Sequence, residues 1–145
     1  VPNFTEADGK FEIGKALHLV EGSDVTILAT GHLVWHALEA AEALEEKGIS
    51  AEVINIHTIK PLDDEAILNS IKKTRCVVTC EEHNYLGGLG ESVSGLLAKN
   101  DPVYQEFVAT NDTFGESGTP AQLMEKYGLN TKSIVEAVNR VLAKK

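Results

Sequence analysis

The stretch CEEHNYLGGLGESV, Cys80 to Val93, holds the residue types from which active sites are built. Two carboxylates, Glu81 and Glu82, a histidine, His83, and an asparagine, Asn84, run into Gly87, Gly88 and Gly90 and then a predicted helix. Carboxylates and imidazoles move protons or hold metals. Glycines at a helix start leave backbone N–H groups open to an anion. The spacing completes neither motif. A dinucleotide fingerprint needs G-x-G-x-x-G, whereas Gly88–Val93 reads G-L-G-E-S-V, without the third glycine. The phosphate loop G-x-x-x-x-G-K-[ST] has no match. Glu81, Glu82 and Glu91 would repel phosphate. The better reading of the glycines is a tight turn and close packing of helix on strand.

Other candidates are weaker. His32 and His36 stand at i and i+4, a zinc-protease spacing, but Leu33 replaces the general-base glutamate of H-E-x-x-H. Ser94 and Ser117 precede glycine without the rest of a G-x-S-x-G elbow. Cys76 and Cys80 lie four apart in an apolar, β-branched run. In a strand that spacing separates them by ~13 Å, beyond the ~7 Å of a disulfide. They are expected to be free, buried thiols, suited to a reducing cytoplasm.

The elements that must carry these residues alternate. Asp24–Gly31 (DVTILATG) is a buried strand, and LVWHALEAAEALEEKG a helix stopped by Gly48 in a left-handed conformation. AEVINIHTIKP is a second strand; LDDEAILNSIKK a helix capped by Asp63; RCVVTCEE a third strand; GGLGESVSGLLAKN a third helix; Val103–Thr110 a fourth strand. After a polar loop, AQLMEKYG and TKSIVEAVNRVLAKK read as helices, the last with Ile134, Val138, Val141 and Leu142 on one face. Residues 1–22 lack a helical period and form a lead-in segment, with one extended piece at Lys15–Val20. Non-alternating strands between helices predict an α/β, three-layer, open and mostly parallel sheet of about five strands with helices on both faces.

In such a sheet ligands bind beyond the carboxyl ends of the strands. That rule gathers His32, His57, Lys60, Glu81, Glu82, His83 and Asn84 on one rim. The rim is either an acid–base or metal site, or the ordinary polar edge of a sheet packed against another domain; the second reading is favoured, since sheet rims are polar by default. Bulk properties narrow the classes further. The chain has 145 residues, a net charge of −9 and only two arginines, Arg75 and Arg140. That balance argues against nucleic acid and anionic membrane surfaces. No apolar run approaches the ~18 residues of a membrane span. No signal peptide is visible at the start, and Val1 in place of Met suggests a piece of a longer chain.

The blocks EGSDVTILATG, ALEAAEALEEKGISAEVINIHTIKPLD, VVTCEEHNYLGGLGESV, FGESGTPAQLMEKYGL and IVEAVNRVL together closely resemble the C-terminal domain of the transketolase family. The preceding FEIGKALHLVEG resembles the linker into it, which divides the chain into a linker, 1–22, and the domain, 23–145. E-E-H-N with F-G-E-S-G looks closer to transketolases than to 2-oxoacid dehydrogenase subunits or deoxyxylulose-phosphate synthases. The resemblance implies a parent enzyme, part of the pentose phosphate pathway, that uses thiamine diphosphate and magnesium to move a two-carbon ketol unit between sugar phosphates. The family's cofactor motif, G-D-G followed by an asparagine, and its activating glutamate belong to other domains; ADGK at Ala7–Lys10 is not that motif. No catalytic, cofactor-binding or metal residue is therefore carried onto this chain. It is expected to be inactive alone, without its own cofactor, and to support assembly with the remaining domains or subunit in a cytoplasmic homo-oligomer. Glu82, His83, Asn84, Gly87, Gly88 and Gly90 become candidates for an interface or for bracing the corner. The alternatives are a domain of a related thiamine-diphosphate enzyme, an independent ligand or metal module using His32, His57 and His83, and a protein-interaction module.

Overall fold

A computed structural model of the chain describes residues 15–31, 33–57, 62–81, 88–109 and 131–145. The described elements are β1 (Leu17–Val20), β2 (Val25–Ala29), α1 (Leu33–Glu45), β3 (Ala51–Asn55), α2 (Asp64–Thr74), β4 (Cys76–Glu81), α3 (Leu89–Asn100), β5 (Tyr104–Ala109) and α4 (Thr131–Lys144). The strands form one sheet in the order β1-β3-β2-β4-β5. β3, β2, β4 and β5 are mutually parallel, and β1 joins β3 antiparallel. This is the mostly parallel sheet expected, and β1 is the extended piece read at Lys15–Val20. The helix expected at AQLMEKYG lies outside the described residues.

Successive residues of a strand point to opposite faces, so one strand feeds two cores. On β2, Ile27 joins the core under α1 and α4, while Leu28 joins that under α2 and α3. α1 contributes Leu33, Val34, Ala37 and Leu44 to the first core; α4 adds Ile134, Ala137, Val138 and Val141. The second core is closed by Ile67 and Ile71 of α2 and by Leu89, Val93 and Leu97 of α3. Each of these Val, Leu and Ile side chains contributes about 1.5–3 kcal/mol when fully buried. Cys76 and Cys80 are free, buried thiols, and burial raises the thiol pKa of both.

The helix ends follow the sequence signals. Asp63 caps α2, its Oδ1 accepting from the Ala66 N–H at 3.3 Å, and its Oδ2 accepts the Ala16 N–H at 2.8 Å ahead of β1. Gly48 has φ of 82°. The Ile49 N–H reaches Leu44 O at 3.0 Å, and the Gly48 N–H reaches Glu45 O at 2.9 Å, the bond pair of a Schellman turn. One end departs from expectation: Arg75, not a glycine, adopts the left-handed conformation after α2, with φ of 64°. Its guanidinium bonds Asp101 at 2.8 Å, and its N–H closes on Ile71 O.

Glu52 of β3 joins this edge of the fold together. Its carboxylate is 1% exposed; it accepts the Lys73 ammonium at 2.6 Å and the Gly22 N–H at 3.1 Å. His18 of β1 lies 3.5 Å from its other oxygen. Burial pushes the Glu52 pKa up, but the bonds from Lys73, Ser70 and Gly22 and the Lys73 charge outweigh it, and the net direction is down. A carboxylate with a lowered folded pKa stabilises the fold above its unfolded value, about 4.3, and loses that contribution as pH falls through the folded value. Glu52→Gln is expected to cost about 1–3 kcal/mol at pH 7 and to shrink the loss of stability below about pH 4. Urea unfolding of both proteins at pH 7 and pH 3 checks it; equal pH dependence would refute it.

Candidate functional site

The corner after β4 is the part of the rim whose geometry is best defined. Glu81, the last residue of β4, is 1% exposed. Its side chain turns onto the first turn of α3: Oε1 accepts the Leu89 N–H at 2.7 Å and Oε2 accepts the Gly90 N–H at 2.6 Å. The first N–H groups of a helix have no partner within the helix, and its amino end carries partial positive charge. A two-oxygen carboxylate satisfies both demands. Gly88, the cap position, offers no side chain of its own and is extended, with φ of −91° and ψ of −168°. The glycine-rich turn does present N–H groups to an anion, and that anion is the protein's own Glu81.

The close approach explains Gly90. A Cβ there would lie 2.5 Å from two ring carbons of Phe107 and 3.2 Å from Glu81 Oε2. Gln105 of β5 fastens the same turn, donating to Gly90 O at 3.0 Å and to Thr79 Oγ1 at 3.2 Å while accepting from Ser94 Oγ at 2.8 Å. Strand β4, strand β5 and the start of α3 are thereby one hydrogen-bonded unit. Phe107 lies over it, 38% exposed.

Of the residues singled out in the sequence, Gly88 and Gly90 are in this corner. Glu82, His83, Asn84 and Gly87 lie outside the described residues, as do His32 and Lys60. His57 follows β3 at the same rim, half-buried. His36 turns instead to the α1–α4 contact, where its Nδ1 lies 3.1 Å from Thr131 Oγ1 and 3.6 Å from Glu39. Among the described residues, no group of three His, Cys, Asp or Glu side chains could hold a metal ion. The structural roles of Glu81 and Gln105 were missed in the sequence. A carboxylate just ahead of a glycine-led helix was the available signal for Glu81; nothing local marked Gln105, since its partners lie on other elements.

Glu81→Gln keeps the shape but loses the charge and turns a donor toward N–H groups. It is expected to cost about 1–3 kcal/mol, and Gly90→Ala about 1–3 kcal/mol through overpacking against Phe107. Denaturant midpoints at constant m-value check both; a loss under 0.5 kcal/mol for Glu81→Gln would show the cap is not holding the corner.

Comparison with known proteins supplies the context. A family model described as transketolase, C-terminal domain, matches residues 14–134. A 6-deoxy-6-sulfo-D-fructose transketolase subunit from Clostridium sp. (strain MSTE9) is 50% identical over 136 residues, 94% of this chain and 42% of that protein. A 1-deoxy-D-xylulose-5-phosphate synthase from Geobacter sulfurreducens is 42% identical over 135 residues, 92% of this chain and 21% of that protein. The solved structure of a split-gene transketolase, an inactive beta4 tetramer, superposes with a TM-score of 0.92 at 45% identity, over 99% of this chain and 47% of that one. The chain thus spans less than half the length of each of these proteins.

Proposed function

The chain belongs to the transketolase C-terminal domain family, and from that premise we propose that it is the non-catalytic, assembly-supporting domain of a split transketolase-like enzyme. In this reading the whole enzyme transfers a two-carbon ketol unit between sugar phosphates with thiamine diphosphate and magnesium. Residues 1–22 serve as the linker and 23–145 as the domain, with β1 of the linker pairing with β3. The partner is the remainder of the enzyme, in a cytoplasmic oligomer; the split-gene relative's tetramer supports an oligomeric arrangement.

One observation carries the non-catalytic part. The corner most similar to a phosphate cradle is closed by Glu81, whose two oxygens occupy the N–H groups of Leu89 and Gly90. A diphosphate there would meet a buried carboxylate instead of free donors. Metal-bound diphosphate requires a set of oxygen ligands, and no metal-holding cluster occurs among the described residues. The sequence contains no G-D-G.

Two outcomes test the reading. Combined with the remaining domains of the enzyme, which supply the family's cofactor motif and activating glutamate, the protein is expected to enter a stable assembly with ketol-transfer activity, and alone to have none. Turnover by the purified chain would overturn the proposal. Within the assembled enzyme, His83→Ala is expected to weaken assembly or stability while leaving the rate per intact complex within about threefold, which is less than about 1 kcal/mol of barrier. A hundredfold loss of turnover in a fully assembled His83→Ala enzyme would place His83 in the chemistry instead.

A further inference from the structure

β1 is the shortest of the described strands, with four residues. It lies at one edge of the sheet, and its pairing with β3 shifts register between His18 and Val20. Two carboxylates of the domain hold its ends, as a strap is held. Asp63 Oδ2 accepts the Ala16 N–H at 2.8 Å on one side, and Glu52 Oε1 accepts the Gly22 N–H at 3.1 Å on the other. The Gly22 end is pressed onto the sheet: a Cβ there would lie 2.3 Å from the Ala51 carbonyl carbon and 2.5 Å from Glu52 N. Just beyond it, the Asp24 N–H reaches Ser50 O at 2.8 Å.

Between these ends lies an unfinished contact. His18 stands opposite Ile54, and residues two apart on a strand share a face, so His18 and Glu52 are on the same side of the sheet. The Glu52 side chain is 1% exposed, and its Oε2 is buried without a hydrogen-bond partner. A buried acceptor left in that condition is costly. His18 Nε2 faces this oxygen at 3.5 Å, longer than the ~2.8 Å of a charge-assisted N–H···O bond. The other groups around the carboxylate are the Gly22 N–H, Ser70 and Lys73, the last already 2.6 Å from Oε1. Glu21 of the lead-in segment acts in turn on Lys73.

We propose that β1 is a proton-tightened strap: a proton on His18 closes the His18–Glu52 contact and fastens the lead-in strand to the domain. Imidazole is the side chain that gains its charge between about pH 8 and pH 5. The neutral ring holds Oε2 weakly across 3.5 Å; the imidazolium gives that oxygen a charged donor. The added hold is therefore present at mildly acidic pH and is lost as pH rises and the ring releases its proton. It ends on the acid side only when Glu52 itself takes a proton, below the ordinary carboxylate range. Through β1 the joint between the lead-in segment and the domain stiffens on acidification. The other titratable groups near the strap are Asp63 at its entry, Lys15 and Glu21 on the segment itself, and His57, two residues beyond β3. His36 lies apart, at the α1–α4 contact.

Amide hydrogen exchange of the full chain tests the strap, with intrinsic rates divided out. The Ala16 and Gly22 N–H groups report its two ends. The Thr30 N–H, bonded to Cys80 O at 3.1 Å, reports the central sheet. Protection of the strap amides relative to Thr30 is expected to be about threefold higher at about pH 5.5 than at about pH 8 in the wild type. It is expected to be equal at the two pH values in His18→Gln. Glu52→Gln keeps the ring but removes the charge, and is expected to lose the dependence as well; His57→Gln is expected to keep it. Equal relative protection at both pH values in the wild type would overturn the proposal without recourse to any variant. So would a dependence that survives in His18→Gln or Glu52→Gln, or one that disappears in His57→Gln, since the proton would then act through another group.

Discussion

The Glu81 carboxylate seated on the first N–H groups of α3 is the interaction on which the candidate site depends. It converts a glycine-rich helix start, the usual arrangement for holding a phosphate, into a closed joint between strand and helix. The joint sets the other choices around it. At position 90 a Cβ would meet the Phe107 ring at 2.5 Å and a Glu81 oxygen at 3.2 Å, so the closed joint favours glycine there. Gln105 then draws β5 onto the same turn, and Phe107 covers it.

The acidity of the chain takes on a different meaning once its carboxylates are followed to their partners. Glu81 and Asp63 bind helix starts, Asp24 accepts the Ser50 N–H at 2.7 Å, and Glu52 binds a strand-edge N–H together with Lys73. Glu106 joins β5 to α4, and its pKa is lowered, chiefly by the bond from Lys144 against the opposing effect of burial. These acids cap and tie elements. A high density of titratable side chains near a sheet rim is therefore no evidence of catalysis by itself; what matters is whether their oxygens are already satisfied.

Much of the fold was legible in the sequence because its signals are local. The apolar runs of β2 and β4, the periodic faces of α1 and α4, the Asp63 cap and the Gly48 turn each lie within a few residues of the structure they specify. Arg75 was not legible: its left-handed conformation breaks the glycine preference and depends on the Ile71 carbonyl and on Asp101, 26 residues away. The site was half legible. The glycines pointed to a helix start that binds an anion, but the partner chosen in the sequence was an external phosphate or none. Identifying Glu81 requires knowing that β4 ends beside α3 with that side chain turned inward, and that is a property of the folded sheet.

In the proposed reading this corner is occupied by the protein's own carboxylate in place of a cofactor phosphate. Backbone amide resonances of Leu89 and Gly90 report on it directly. Titration of the labelled chain with thiamine diphosphate and magnesium is predicted to leave both resonances in place at millimolar ligand. Saturable shifts at those two amides, with displacement of Glu81, would contradict the account.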